Sequence, residues 1–156
     1  MAMVLRSDAF PDCGDIPPKY TCAGDNVSPP LTWGGTPAQT RSFALVMDDP
    51  DALLGAFTHW VIFDLDPTIS TLGEGVQAAP QLPGSAIQGK NGFGNVGYGG
   101  PCPPRGRPHH YRFTLYALDA LLRLAPGSSK KQALGAMKGH ILEQAQLVGL
   151  FQQHGR

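Results

Sequence analysis

The stretch GYGGPCPPRGRPHHYRFTLYALD, Gly97 to Asp119, changes character halfway. Its first half is glycine and proline, without the period of a helix or a strand. Its second half, Tyr111–Leu118 (YRFTLYAL), alternates aromatic and aliphatic residues and predicts a buried strand. His109 and His110 stand at the junction. Neighbours on a strand point to opposite faces, so only one of them joins an inward-facing site. His109 is placed with Tyr111 on one face and His110 on the other. Pro101, Pro103 and Pro104 stiffen the loop, and Gly97, Gly99 and Gly100 are expected to leave backbone N–H groups open to a ligand. A rigid loop that delivers an imidazole to the start of a strand suits the wall of a preformed pocket.

Outward from this stretch, two more strands are legible, Ser42–Met47 (SFALVM) and Thr58–Leu65 (THWVIFDL), with a short one near Ala86–Gln88. The first forty residues, rich in proline turns, exclude long helices. Pro67 to Gly106 is mostly loop. The tail predicts helix: Ser128 or Ser129 caps KKQALGAMKG, and HILEQAQLVGLFQQ continues or restarts it, with Gly135 and Gly139 permitting a break. Leu134, Met137, Ile141, Leu142, Ala145 and Val148 recur at spacings of three and four. Strands followed by helices predict a mainly β fold, an antiparallel sheet with C-terminal helices packed at one end, in a single domain over 1–156.

Composition narrows the function classes. The chain carries 12 basic and 12 acidic residues, 15% charged in all, and no basic run, which argues against nucleic acid as a partner. No segment approaches the roughly 20 apolar residues of a membrane span, and MAMVLRSDAF has no long apolar stretch of a secretory leader. Three cysteines, Cys13, Cys22 and Cys102, cannot all pair within one chain. They are expected to be reduced thiols in a cytoplasmic protein.

Several motifs fall away on context. Gly92–Gly97 spells GxGxxG, but the sequence runs on into YGGPCPPRG, which cannot form the helix that a dinucleotide site requires. Asn26-Val27-Ser28 spells a glycosylation acceptor and is followed by Pro29. No GxSxG elbow is present. Asp48-Asp49-Pro50-Asp51 reads as a polar turn closing a strand, or as carboxylates gathered at a cavity. Strict alternation puts His59 on a face with Phe57, Val61 and Phe63. His59, His109, Asp49 and Asp51 have zinc-compatible chemistry, but their spacings match no metal motif, and no metal is expected.

Taken together, SPPLTW (Ser28–Trp33), DDPDA (Asp48–Ala52), THWV (Thr58–Val61), GYGGPCPP with HHY (Gly97–Tyr111), FTLYALD (Phe113–Asp119) and AMKGHIL (Ala136–Leu142) resemble the phosphatidylethanolamine-binding protein family. The resemblance is to its bacterial and archaeal Raf-kinase-inhibitor-like branch and runs from about Phe10 to Gly149. It implies a central antiparallel sheet, a second smaller sheet, C-terminal helices and a small anion pocket near the sheet edge. Carried over residue by residue, the pocket uses Asp49, Asp51 and His59, the loop wall Gly99, Gly100 and Pro101, and His109 and Tyr111. The resemblance implies no cofactor.

Two positions depart from the family pattern. Leu53 stands where proline usually follows DPDA, which puts a rigid turn there in doubt, and His110 stands where relatives have arginine, removing a permanent cation. The expected function is non-enzymatic binding of a small phosphate-bearing or other anionic ligand, with His59 and His109 as the protonated attractors. A kinase or peptidase is a conceivable protein partner, reached by docking of the protein surface. The enzymatic alternative is a small hydrolase or lyase working through His59 with Asp49 or Asp51. A homodimer is expected, with the Leu53–Phe57 loop contributing to the interface.

Overall fold

The computed structural model describes residues 2–153. Strands β4 (Ser42–Asp49) and β8 (His109–Leu118) pair antiparallel and form the middle of a six-stranded sheet. Every residue of β4 is buried, because both faces of the sheet are covered there. Outward on one side lie β5 (Phe57–Leu65) and the short β7 (Ile87–Gln88). On the other lie β9 (Ile141–Phe151) and β2 (Gly14–Asp15), giving the order β2-β9-β8-β4-β5-β7. All neighbours run antiparallel except β2 and β9. A second sheet, β1 (Val4–Arg6), β3 (Leu31–Gly34) and β6 (Thr71–Leu72), packs on the inner face. The main core fills the space between, where Leu5, Leu31 and Trp33 meet Phe43, Leu45, Met47, Trp60, Ile62, Phe113 and Leu115. The mainly β, two-sheet expectation therefore holds, and β4, β5, β7 and β8 fall where the sequence placed strands.

The tail differs from expectation in one half. Helix α1 (Lys130–Met137) forms as predicted, with Ser129 at its N-cap. The Ser129 hydroxyl accepts from the Gln132 N–H, and the Gln132 side chain accepts from the Ser129 N–H in return. Ala133 and Met137 cover Ala44, Val46, Val61 and Phe63 on the outer face of the sheet. Gly139, at φ 85°, ends the helix. The stretch HILEQAQLVGLFQQ is then not a second helix but β9, paired with β8 along its length. Ala145, Leu147 and Phe151 recur at even spacing and enter the main core. Burying Leu147 and Phe151 contributes about 1.5–3 kcal/mol each, against tenths of a kcal/mol per residue of helix preference in Leu, Glu and Gln. Burial wins.

The cysteines also require correction. Cys22 and Cys102 form a disulfide across 80 positions of sequence, and Cys13 alone is free and exposed. The bond ties the N-terminal loop to the proline-rich loop, and the Cys22 N–H donates to the Pro101 carbonyl beside it. It also removes the ground on which a reduced, cytoplasmic chain was expected, since such bonds persist mainly in oxidising compartments. No helix among the described residues is long and apolar enough to cross a membrane.

Closing so long a loop restricts the unfolded chain, an effect of about 4 kcal/mol at this loop length in the chain-entropy account. The double variant Cys22→Ala/Cys102→Ala should lose about 2–4 kcal/mol of unfolding free energy in urea titrations under oxidising conditions. Excess dithiothreitol should bring the parent protein to the same value. Equal stability of parent and variant without reductant would show that the bond constrains nothing.

Candidate functional site

The site is built where β4, β5 and β8 end together. On β4, alternation sends Asp48 to the outer face and Asp49 to the inner one. On β8, Arg112 lies outward, and His109 and Tyr111 lie inward. Strict alternation fails on β5. Asp48 stands opposite Thr58 and Met47 opposite Trp60, so His59 is the extra residue of a β-bulge. The bulge restarts the pattern: His59 lies on the inner side with Trp60 and Ile62, while Val61 and Phe63 join the outer core. His59 is thus placed against the Tyr111 ring, 5.2 Å between centroids, and not beside Val61 and Phe63.

These residues line one cavity of about 330 Å³, with Asp49, Asp51, His59, His109 and Tyr111 as polar lining. Phe57, Phe93, Pro103 and Pro104 form its apolar rim, and Arg107 brings a guanidinium. Five of the eight residues assigned from sequence therefore converge. Gly99, Gly100 and Pro101 lie behind the wall. The expected role of Gly97, Gly99 and Gly100 as open donors is not what the backbone does: the Gly97 N–H donates to the Gly89 carbonyl, Gly99 to the His59 carbonyl and Gly100 to the Asn26 side chain. Glycine is needed here for close approach. A Cβ on Gly99 would strike the Phe93 ring, and one on Gly100 would strike Asn26 and the Tyr20 carbonyl. Arg107, Phe57 and Phe93 were not singled out from sequence. Only the position of Arg107 two residues before the histidine pair hinted at it.

Each polar group has a defined state. The His59 Nδ1 lies 2.6 Å from the Gly99 carbonyl, which can only accept, so this nitrogen carries the proton. Burial pushes the His59 imidazole below the usual histidine range, outweighing the Gly99 carbonyl and the Asp49 carboxylate that favour the cation. The ring is neutral at neutral pH, and Nε2 is left as a hydrogen-bond acceptor. His59 is therefore no cationic attractor. The His109 Nδ1 lies 2.6 Å from Asp49 Oδ2, which fixes that ring and leaves its Nε2 as the remaining polar atom. Asp51 turns away to His110, accepting from both its backbone N–H and its Nδ1 at 2.7 Å. Those two bonds hold the Asp51 carboxyl below the usual carboxylate range. His110, which stands where the family pattern has arginine, thus holds Asp51 through its backbone and its ring. No carboxylate reaches His59, so the acid–base pair present is His109 with Asp49.

Tyr111 completes the site. It is fully buried, and its Oη has no hydrogen-bond partner. Burial, and then the Asp49 and Asp51 carboxylates, push its phenol well above the usual range, so it stays a protonated donor. A buried hydroxyl without a partner costs about 1–3 kcal/mol. The cavity wall therefore holds one unpartnered donor buried just beneath its surface (Tyr111 Oη) and one unpaired acceptor (His59 Nε2).

A family profile described as phosphatidylethanolamine-binding protein matches residues 6–152. A protein of Methanothermobacter thermautotrophicus, named only as a UPF0098 protein, is 51% identical over 97% of this chain and 99% of its own. Among solved structures, a phosphatidylethanolamine-binding protein homolog, CT736, from Chlamydia trachomatis superposes at a TM-score of 0.89. It is 40% identical and covers 98% of this chain and 99% of that one. YbcL of E. coli, described as a new member of the mammalian family, superposes at 0.92 with 29% identity, covering 99% and 100%.

Tyr111→Phe separates stability from binding. Removing the unpartnered hydroxyl should leave the melting temperature unchanged or raise it, while affinity for an oxyanion drops by about 1 kcal/mol, or roughly fivefold. A destabilised variant with intact affinity would mean that the phenol already has a partner in the free protein. The neutral His59 has a stability signature with a definite sign. Its folded pKa lies below the unfolded value near 6.5, so its contribution is complete above that pH. It is lost as pH falls from there through the folded pKa. His59→Gln should flatten the fall of melting temperature below about pH 6.5 relative to the parent protein. Parallel pH profiles would contradict a buried neutral imidazole.

Proposed function

The chain belongs to the phosphatidylethanolamine-binding protein family, and from that premise we propose that it binds a small phosphate-type head group in the His59–Tyr111 cavity without turning it over. The observation that carries this reading is the unpartnered Tyr111 hydroxyl beside the unpaired His59 Nε2. A singly protonated phosphate satisfies both at once: a P–O⁻ oxygen accepts from Tyr111, and the P–OH donates to His59. Arg107 supplies charge at the rim, and His109, held by Asp49, a second imidazole nitrogen. The aromatic and proline rim suits an organic substituent on the phosphate.

A second reading rests on the 2.6 Å His109–Asp49 contact, the arrangement by which a carboxylate orients a general base. On that reading His109 activates water toward a bound phosphoester. Cys102 is already bonded to Cys22 and offers no nucleophile. The homodimer belongs here as well. Leu53 and Leu54 are 95% and 99% exposed in the β4–β5 loop beside the cavity mouth, and a second copy is the partner we assign to them.

Phosphate and sulfate distinguish the hydrogen-bond pattern. Phosphate gains its proton with a pKa near 6–7, whereas sulfate stays a dianion and has nothing to donate to His59. In isothermal titration, phosphate and phosphoethanolamine should bind more tightly as pH falls from about 8 to about 6. Sulfate should bind at least about tenfold more weakly. Tighter binding of the dianions would overturn the assignment. Turnover of aryl phosphates or carboxylic esters that disappears in His109→Ala would establish the hydrolytic reading instead.

A further inference from the structure

The outer face of the central sheet carries a second set of polar groups, which the His59 cavity does not use. Between α1 and β9 the face is not covered by apolar side chains. A groove of about 240 Å³ lies there, floored by the outward residues of β4, β8 and β9 and walled by Lys130 and Leu134 of α1. At its end Asp48, only 6% exposed, accepts from Arg112 Nε at 2.9 Å, Arg112 Nη2 at 3.1 Å and Lys130 Nζ at 2.8 Å. Burial alone would push the Asp48 carboxyl up, but the guanidinium and ammonium together hold it below the usual carboxylate range.

Two cations on one carboxylate leave a surplus positive charge. No other acidic residue lines the groove. Arg112 spends two of its N–H groups on Asp48 and Lys130 one of three, so donors of both remain. The neutral lining is unspent too. Among the described residues neither the Tyr116 hydroxyl nor the Gln144 amide has a side-chain partner, and Gln146 makes only a 3.3 Å bond to Thr114 Oγ1. Burial pushes the Tyr116 phenol up, which keeps it a donor. A permanent fork of donors beside two amides, two hydroxyls and an aromatic face is the chemistry that recognises a carboxylate carrying hydroxyl groups.

We propose that this groove is a second ligand site, specific for a small hydroxylated monocarboxylate of the sugar-acid class. The carboxylate takes the free N–H groups of Arg112 and Lys130. The hydroxyls exchange hydrogen bonds with Gln144, Gln146 and Tyr116. One negative charge on the ligand matches the one surplus positive charge of the groove. The groove volume accommodates a molecule about the size of one monosaccharide. The site shares no lining residue with the His59 cavity, which opens on the other face of the sheet.

The test is an NMR titration of the ¹⁵N-labelled full chain with D-gluconate, D-glucose and inorganic phosphate. Gluconate should move the amide signals of Arg112, Thr114, Gln144 and Gln146 saturably, with a dissociation constant of about 1 mM. Glucose should bind at least about tenfold more weakly, for want of the carboxylate. Phosphate should move chiefly signals around His59 and Tyr111, and this arm reports on that cavity separately. Lys130→Gln keeps the Arg112–Asp48 pair and should weaken gluconate about fivefold or more, and Gln144→Ala about threefold, with phosphate binding unchanged in both. No saturable gluconate response at tens of millimolar, equal response to glucose, or unchanged affinity in both variants would overturn the proposal.

Discussion

The pairing of β4 with β8 constrains everything else. β4 is covered on both faces and β8 on its inner face and part of its outer one, so each side chain must satisfy one of two different environments, and alternation leaves no third choice. Where the pair is covered, the residues are apolar on either side. At its open end the same alternation sorts polar residues by parity: Asp49, His109 and Tyr111 go to one face, Asp48 and Arg112 to the other. Adjacent residues 48 and 49 therefore serve separate clusters on opposite sides of a single layer. The sheet keeps these clusters apart because neither carboxylate can reach across it.

Desolvation sets the chemistry on the inner side. The same burial acts with opposite results on an acid and a base: it keeps the Tyr111 proton on and the His59 proton off. The product is a neutral donor and a neutral acceptor, and attraction by permanent charge falls to Arg107 at the rim. Such a cavity discriminates by hydrogen-bond direction more than by charge. The bulge at His59 makes this possible, because a regular β5 would have carried the imidazole through to the apolar outer core.

Much of this was legible in the sequence. SFALVM, THWVIFDL and YRFTLYAL declared their strands by composition, and the serines at 128 and 129 declared a helix start. The motifs carried Asp49, His59, His109 and Tyr111 to one place. Three features were not legible, each for a physical reason. Ile141–Phe151 has the composition of a helix, and only its long-range pairing with β8 makes it a strand. The His59 bulge is a mismatch between two strands and leaves no trace in either one alone. The Cys22–Cys102 bond joins positions whose proximity is created by the fold, and an odd number of cysteines gave no hint of which two would meet. The glycines misled in a subtler way: the residue type correctly signalled close approach, but the close partners are Phe93 and Asn26, not a ligand.

The disulfide also divides the chain mechanically. Residues 22 to 102 form a covalent ring that contains β3, β4, β5, β6 and β7, whereas β8, α1 and β9 hang outside it. A force applied at the two termini passes through the sulfur bridge and bypasses the ring. Roughly 290 Å of contour, 80 residues at about 3.6 Å each, stays hidden from extension until the bond is reduced. A backbone cut within the ring would likewise leave the two pieces joined, so a clipped molecule keeps its mass and both strands of the β4–β8 pair.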